Sequence, residues 1–101
     1  MTDVYLRVWE YEVPAHNVDA FLAAYGPEGD WALLFRGAQG YLGTGLFRAT
    51  DEGGRFLTVD RWADQAAWLR FLDTSRQAYE ELDLRLEGLA ATERPLLEGI
   101  G

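Results

Sequence analysis

The 101-residue sequence contains no cysteine and no lysine, one histidine (His16) and one serine (Ser75). Without cysteine there are no disulfides, thiolate metal ligands or cysteine nucleophiles, and without lysine there is no Schiff-base chemistry. A zinc or non-haem iron site usually needs at least two histidine or cysteine ligands, so we expect no metal site. A Ser-His-Asp triad would need the single histidine and the single serine to meet by coincidence. These absences exclude most common catalytic chemistries.

Positive charge is also scarce, because 17 Asp and Glu residues face nine arginines and the net charge is −8. Nucleic acids and anionic membranes are bound through basic surfaces, so we expect neither partner. No apolar run approaches the roughly 20 residues of a membrane span, and no charged-then-apolar leader opens the sequence, which predicts a cytoplasmic protein. The length and the 49% hydrophobic fraction predict a single globular domain over residues 1–101.

The hydrophobic pattern predicts strands and helices in the order β-α-β-β-α-β. The predicted strands cover residues 3–13, 40–50, 55–62 and 92–98, and Pro95 marks the last one as an edge strand. The first helix ends at Gly26-Pro27, a short second helix begins at Asp30, and Asp64 caps a long helical segment with a candidate break near residues 81–83. The sequence Asp51-Glu52-Gly53-Gly54 predicts a hairpin turn between the middle strands.

This order is typical of a ferredoxin-like α+β fold, in which helices cover one face of a four-stranded antiparallel sheet. Strand alternation sorts the side chains into two sets. We assign an aliphatic set to the helix-covered face: Val4, Leu6, Val8, Leu57 and Val59. We assign a ring-rich set to the open face: Tyr5, Arg7, Trp9, Tyr11, Tyr41, Phe47, Phe56, Asp60 and Trp62. Because so many exposed rings exceed what a monomer shows to water, we predict a homodimer through the aromatic sheet face.

The chain also resembles the antibiotic biosynthesis monooxygenase (ABM) domain, a family of dimeric α/β-barrel proteins with ferredoxin-like subunits. The resemblance is carried by the opening strand VYLRVWEYEV, the strand GYLGTGLFR, and the segment LTVDRWADQAAW before the long helix. It implies one of the family's activities, which include cofactor-free oxygenation of aromatic polyketides, quinol oxygenation and haem degradation. The haem-degrading pattern fails here, since residues 3–13 contain no asparagine, and Glu80 and Glu81 stand where the haem-ligating histidine would fall. We therefore expect no cofactor.

The remaining residues suit oxygenation without a cofactor, in which an electron-rich phenol or hydroquinone loses a proton and its carbanion reduces dioxygen. The candidate catalytic residues are Arg7, as the group that stabilises the anion, and Asp60 or a tyrosine, as the proton acceptor. Burial beside aromatic rings would raise the pKa of such a carboxylate, which suits a base. The candidate substrate-binding residues are Tyr5, Trp9, Tyr11, Phe56 and Trp62.

Each of these features has a structural alternative. Trp9 and Trp62 also suit a dimer core, and Arg7 also suits an ion pair across an interface. The glycines of residues 40–45 indicate a β-bulge or a close approach of the backbone rather than a phosphate-binding loop, since no helix follows them. The sequence therefore predicts either a cofactor-independent monooxygenase for an aromatic or quinonoid small molecule, or a non-catalytic small-molecule-binding or structural protein of the same fold. Convergence of Arg7, Asp60 and a tyrosine hydroxyl within hydrogen-bond reach, in a pocket of a few hundred Å³, would favour the enzyme. Side chains that all pair with a partner subunit would favour the structural protein.

Overall fold

The chain folds into a four-stranded antiparallel sheet with helices packed on one face, in a computed structural model that describes residues 3–51 and 53–101. The strands, in the spatial order β2-β3-β1-β4, are β1 (Tyr5–Glu12), β2 (Tyr41–Arg48), β3 (Arg55–Trp62) and β4 (Thr92–Ile100). The helices are α1 (Val18–Tyr25), α2 (Asp30–Arg36) and α3 (Gln65–Leu86). The predicted ferredoxin-like α+β fold is confirmed, with an open sheet. Met1, Thr2 and Glu52 lie outside the described residues, so the predicted hairpin turn is described only in part.

The long helix α3 begins as predicted, because the Asp64 carboxylate accepts a hydrogen bond of 2.8 Å from the backbone N–H of Ala67. Its break lies at Ser75 (φ −129°, ψ 21°) rather than near residues 81–83. Immediately before the break, the Thr74 hydroxyl donates to the Arg70 carbonyl at 3.0 Å. Side-chain bonds of this kind compete with the backbone ladder and bend helices. Among the helices of the described residues, none has the length and apolar content to cross a membrane.

A β-bulge in β2 decides which side chains of that strand face the helices. Tyr41 lies opposite Trp62 and Gly43 lies opposite Arg61, so Leu42 is an extra residue without a partner. Gly43 has a φ of +144°, a conformation that favours glycine. Beyond the bulge the alternation is inverted, so Phe47 shares a face with its partner Leu57 and is 57% exposed. The predicted bulge is therefore confirmed, and the prediction that Phe47 belongs to the ring-rich face is wrong.

The two faces of the sheet are the reverse of the sequence assignment. The rings of Tyr5, Tyr11, Phe56 and Trp62 are between 0% and 6% exposed, because the helices cover them. They pack against helix side chains that are themselves rings: Phe21, Tyr25, Phe35, Trp68 and Phe71. The open face instead carries the aliphatic set, with Leu6, Val8, Leu57 and Val59 partly exposed.

The aromatic sheet face is therefore wrong as the predicted homodimer interface, since the chain's own helices occupy it, while the homodimer itself stays a prediction. Strand alternation separates two sets of side chains but does not say which set meets the helices. Here the helices present large rings, and the matching rings of the sheet fill the space between the two layers. Tyr11, for example, meets Phe21 and Tyr25 edge-on at centroid distances of 5.1 and 5.0 Å.

Candidate functional site

A row of four polar side chains crosses the helix-covered face of the sheet. Strand pairing sets Thr44 of β2 opposite Asp60 of β3, Asp60 opposite Arg7 of β1, and Arg7 opposite Glu98 of β4. We call these four residues the polar row. Glu98 is exposed on the edge strand, whereas the other three are partly buried beneath the rings of the helices, where polar and charged groups cost free energy unless they are paired. Such an arrangement is a candidate functional site, because perturbed charged groups cluster where proteins do chemistry.

Arg7 is held in place from two sides. Its Nη1 donates to Glu98 Oε1 at 3.0 Å and to the Tyr5 hydroxyl at 3.2 Å, and that hydroxyl donates to Glu98. Its guanidinium carbon lies 4.1 Å from the centroid of the Trp68 ring, a cation–π contact with α3. The Arg7 side chain is only 16% exposed. A positive charge is thus fixed in the middle of the row.

Asp60 is the partly buried acid of the polar row. Its Oδ1 accepts a hydrogen bond of 2.7 Å from the Thr44 hydroxyl, whose oxygen lies 2.5 Å from the Tyr41 hydroxyl. Burial raises the pKa of Asp60 to about 6, although the Thr44 hydrogen bond and the positive charge of Arg7 both act to lower it. A carboxylate with a pKa near neutrality is suited to take up a proton and to return it.

A cavity of about 50 Å³ lies between the polar row and the helices. Arg7, Thr44 and Asp60 line it from the sheet, and the helices contribute aromatic walls: Tyr25, Trp31, Phe35, Trp68 and Tyr79. Burial raises the pKa of Tyr79, although the charge of Arg7 acts to lower it. A water molecule needs about 10–15 Å³ of such volume, so the cavity holds only a few waters or one small gas molecule. A ligand of aromatic size therefore requires the walls to move apart.

A second cavity, of about 260 Å³, adjoins the first between the end of α3 and the start of β4. Tyr25, Asp83 and Glu93 line both cavities. Burial, together with the nearby carboxylates of Asp83 and Glu87, raises the pKa of Glu93. The two cavities therefore share part of their walls.

Two tryptophans of the helix-covered layer have a buried indole N–H without a hydrogen-bond partner in the described part of the chain: Trp31 and Trp62. Trp31 lines the small cavity, whereas Trp62 does not. The Trp31 indole nevertheless interacts with the Tyr25 hydroxyl and acts to lower its pKa, while burial, the larger effect, raises that pKa to about 12.

The structure brings together four of the residues singled out in the sequence. Arg7, Asp60, Trp9 and Tyr11 line the small cavity. Tyr5, Phe56 and Trp62 are buried in the same layer but do not line it.

Sequence reasoning missed Thr44 of the cavity wall, and it favours a core position for Trp31, Trp68 and Tyr79, with a pocket rim as the second choice for the last two. Thr44 faces inward only because of the bulge, and the positive-φ glycine Gly43 was the available signal for it. The rings of α2 and α3 read as core residues by their helical spacing. Their position beside a cavity is a property of the packed structure, which periodicity does not contain.

Comparison with known proteins identifies the family of the chain. The family model of antibiotic biosynthesis monooxygenases matches residues 5–79, from β1 into α3 and therefore across the whole polar row except Glu98. The chain belongs to this family. No curated protein matches the ABM chain in sequence.

Solved structures share the fold of this ABM chain at low sequence identity. One is a variant of SnoaB, a cofactor-independent oxygenase from Streptomyces nogalater, with 19% identity, a TM-score of 0.68, and coverage of 100% of this chain and 92% of the other. Another, from Nitrosomonas europaea and proposed to be an antibiotic biosynthesis monooxygenase, has 13% identity, a TM-score of 0.71 and the same coverage. A third, from Shewanella loihica PV-4 and proposed to be a monooxygenase, has 23% identity, a TM-score of 0.64, and coverage of 95% and 92%.

Proposed function

We propose that the protein is a cofactor-independent monooxygenase that acts on an electron-rich aromatic or quinonoid small molecule. The observation that carries the proposal is that Asp60, an acid with a pKa near 6, and the fixed cation Arg7 lie on adjacent strands and line the same cavity. Membership of the family and the likeness to SnoaB, a cofactor-independent oxygenase, support the same activity.

In the proposed reaction Asp60 accepts a proton from an acidic C–H or O–H of the ligand. The resulting carbanion or phenolate lies near Arg7, whose charge stabilises it and the oxygen anions that follow. The anion reduces dioxygen and forms a carbon–oxygen bond, and the peroxide takes up the proton. Loss of water then leaves a carbonyl, so one dioxygen yields one oxidised carbon and one water.

The protein must open to admit such a ligand, because the cavity between the polar row and the rings is only about 50 Å³. The adjoining cavity of about 260 Å³ offers the approach. The kink at Ser75 separates the half of α3 that carries Trp68 from the half that borders the larger cavity. Movement of the second half about this kink would widen the site without displacing Trp68 from Arg7.

The proposal predicts protein-dependent oxygen uptake with anthrones, naphthols or hydroquinones, at one dioxygen per molecule oxidised. An oxygen electrode measures the uptake against the spontaneous rate, and mass spectrometry with ¹⁸O₂ identifies the new carbonyl. Uptake no faster than the spontaneous rate across the whole panel would contradict the proposal. Tight binding of a panel member without uptake would instead indicate the non-catalytic binding protein.

We further propose that two copies of the chain pair through the open sheet face rather than through the aromatic one. Leu6, Val8, Leu57 and Val59 form the centre of that face, and the exposed Phe47 and Leu97 flank it. Contiguous apolar patches of this kind mark interaction surfaces. The resemblance to a family of dimers supports a second copy as the partner.

The cytoplasmic location stays a prediction.

Val59→Glu is expected to weaken this dimer by at least ~100-fold, because an unpaired charge would be buried at its centre. Val59 is partly exposed in the single chain, so the fold should survive. Sedimentation velocity at micromolar concentration should report a mass near 11.4 kDa for the variant and about twice that for the wild type. Leu33→Glu, at an exposed leucine of α2, is the matched control and should remain dimeric. A wild-type monomer, or an unchanged dimer in the Val59 variant, would contradict the proposal.

A further inference from the structure

Tyr41 stands outside the cavity but is linked to Asp60 by two successive hydrogen bonds. The Tyr41 and Thr44 hydroxyl oxygens are 2.5 Å apart, and the Thr44 hydroxyl lies 2.7 Å from Asp60 Oδ1. An ionised carboxylate only accepts hydrogen bonds, so Thr44 must give its one proton to Asp60. Tyr41 must then be the donor to Thr44. The hydrogen bonds therefore run from Tyr41 through Thr44 to Asp60, because each hydroxyl has a single proton to donate.

We infer that Tyr41 is a positioning residue for Asp60 and acts through the Thr44 hydroxyl, an inference that rests on the function proposed above for Asp60. Tyr41 does not line the cavity, whereas Thr44 and Asp60 do. Its ring packs against Phe35 and Trp62 at centroid distances of 5.5 and 5.3 Å. It therefore reaches the reacting groups only through Thr44.

The bulge in β2 is what makes the chain of hydrogen bonds possible. Residues three apart in a regular strand point to opposite faces of the sheet. The extra residue Leu42 brings Tyr41 and Thr44 to the same face instead. A Cβ at Gly43 would lie 3.0 Å from Arg61 Nη2, and its φ of +144° disfavours any other residue there. The bulge thus serves an arrangement that a regular strand cannot form.

The hydrogen-bond chain fixes Oδ1 of the carboxylate and leaves Oδ2 without a hydrogen bond within residues 3–51 and 53–101. This leaves Oδ2 to accept the proton of a ligand in the cavity. The other charged or titratable groups around Asp60 are Arg7 and Tyr11 from β1 and Tyr79 from α3. Arg7 stabilises the ionised form by its charge, and Tyr41 does so by polarising the Thr44 hydroxyl. Arg36 and Arg61 lie near the Tyr41 hydroxyl and act to lower its pKa, while burial, the larger effect, raises it.

The test is a titration of the Asp60 carboxyl carbon by NMR in the wild type, Tyr41→Phe, Thr44→Val and Thr44→Ser. Tyr41→Phe removes the donor to Thr44 and should raise the pKa of Asp60 by about 0.5 unit. Thr44→Val removes the donor to Asp60 itself and should raise that pKa by about 1 unit, because each loss destabilises the ionised form. Thr44→Ser keeps the hydroxyl and should restore the wild-type value. Tyr25→Phe removes a buried hydroxyl of the cavity that is not bonded to Asp60, and should leave the titration unchanged.

The same variants separate this inference from the proposed function. With an active ligand, the acid limb of the kcat profile should move by the shift seen in the NMR titration, while KM stays within about twofold. An Asp60 pKa that moves by less than about 0.2 unit in Tyr41→Phe would overturn the inference, even if Thr44→Val shifts it and the protein is active. A shifted pKa in a protein without oxygen uptake would overturn only the proposed function. Tyr41→Phe alone decides the matter if Thr44→Val fails to fold.

Discussion

Asp60→Asn is expected to lower the rate of oxygen consumption by ~100- to 10,000-fold, the usual contribution of a positioned proton acceptor. Asparagine keeps the shape of the side chain and can still accept the Thr44 hydrogen bond, but it cannot take a proton from the ligand. The affinity for the ligand should therefore change little. Initial rates and a fluorescence or calorimetric binding titration measure the two quantities separately.

The matched control for this substitution is Asp73→Asn, at an exposed position of α3. Its rate should equal that of the wild type. A fully active Asp60→Asn would remove Asp60 from the proposed mechanism. An equal loss of ligand affinity and rate would instead assign Asp60 a binding role.

The same substitution is expected to stabilise the folded protein. The folded-state pKa of Asp60, about 6, lies above its ordinary value of 3.8, so the native state holds this proton more tightly than the unfolded state. Stability contributed by the neutral acid is therefore lost as the pH rises from about 4 to about 6. The asparagine side chain cannot ionise, so at pH 7.5 the variant should gain about 1–3 kcal/mol over the wild type. Urea denaturation at pH 7.5 and at pH 4 measures the gain in the free energy of unfolding, which should vanish at the lower pH.

Phe56→Ala is expected to lower the free energy of unfolding by about 3–5 kcal/mol, as deletion of a fully buried ring does. Phe56 is 1% exposed on the helix-covered face. Phe47→Ala is the matched substitution on the other face, where the ring is 57% exposed. At concentrations low enough to give monomers it should cost less than about 1 kcal/mol.

Urea denaturation at two protein concentrations separates the two faces. The loss for Phe56→Ala should be independent of concentration, whereas any larger loss for Phe47→Ala should appear only where the wild type pairs. A small, concentration-dependent effect of Phe56→Ala would restore the original assignment of the aromatic set to the open face.

Local patterns predicted the elements of the fold well. The strand alternation, the Asp64 cap and the edge position of the Pro95 strand are all found in the structure. The break in α3 was misplaced, because the hydrogen bonds of Thr74 and the conformation of Ser75 leave no signature in apolar spacing. Boundaries that depend on single side chains are harder to predict than elements that depend on a repeated pattern.

The candidate site was predictable only in part. Arg7 and Asp60 were predicted because strand alternation places both among the rings of one face, and the family resemblance asks for an anion-stabilising group and a proton acceptor. Their neighbours Trp31, Trp68 and Tyr79 come from distant segments, and only the packing of helices on the sheet brings them together. The faces were reversed for a related reason, since each strand defines two sides but the helices decide which side is covered.

The single unpaired position at Leu42 couples chain length to the chemistry of the site. Each residue of β2 after Leu42 faces the helices or the open side according to its distance along the strand from the bulge, whatever its side chain. An insertion or a deletion there would exchange Thr44 and Leu46 with their neighbours across the sheet, although no residue in contact with Asp60 had itself been altered. Relatives whose sites differ from this one are therefore expected to differ by insertions and deletions in β2 as well as by substitutions.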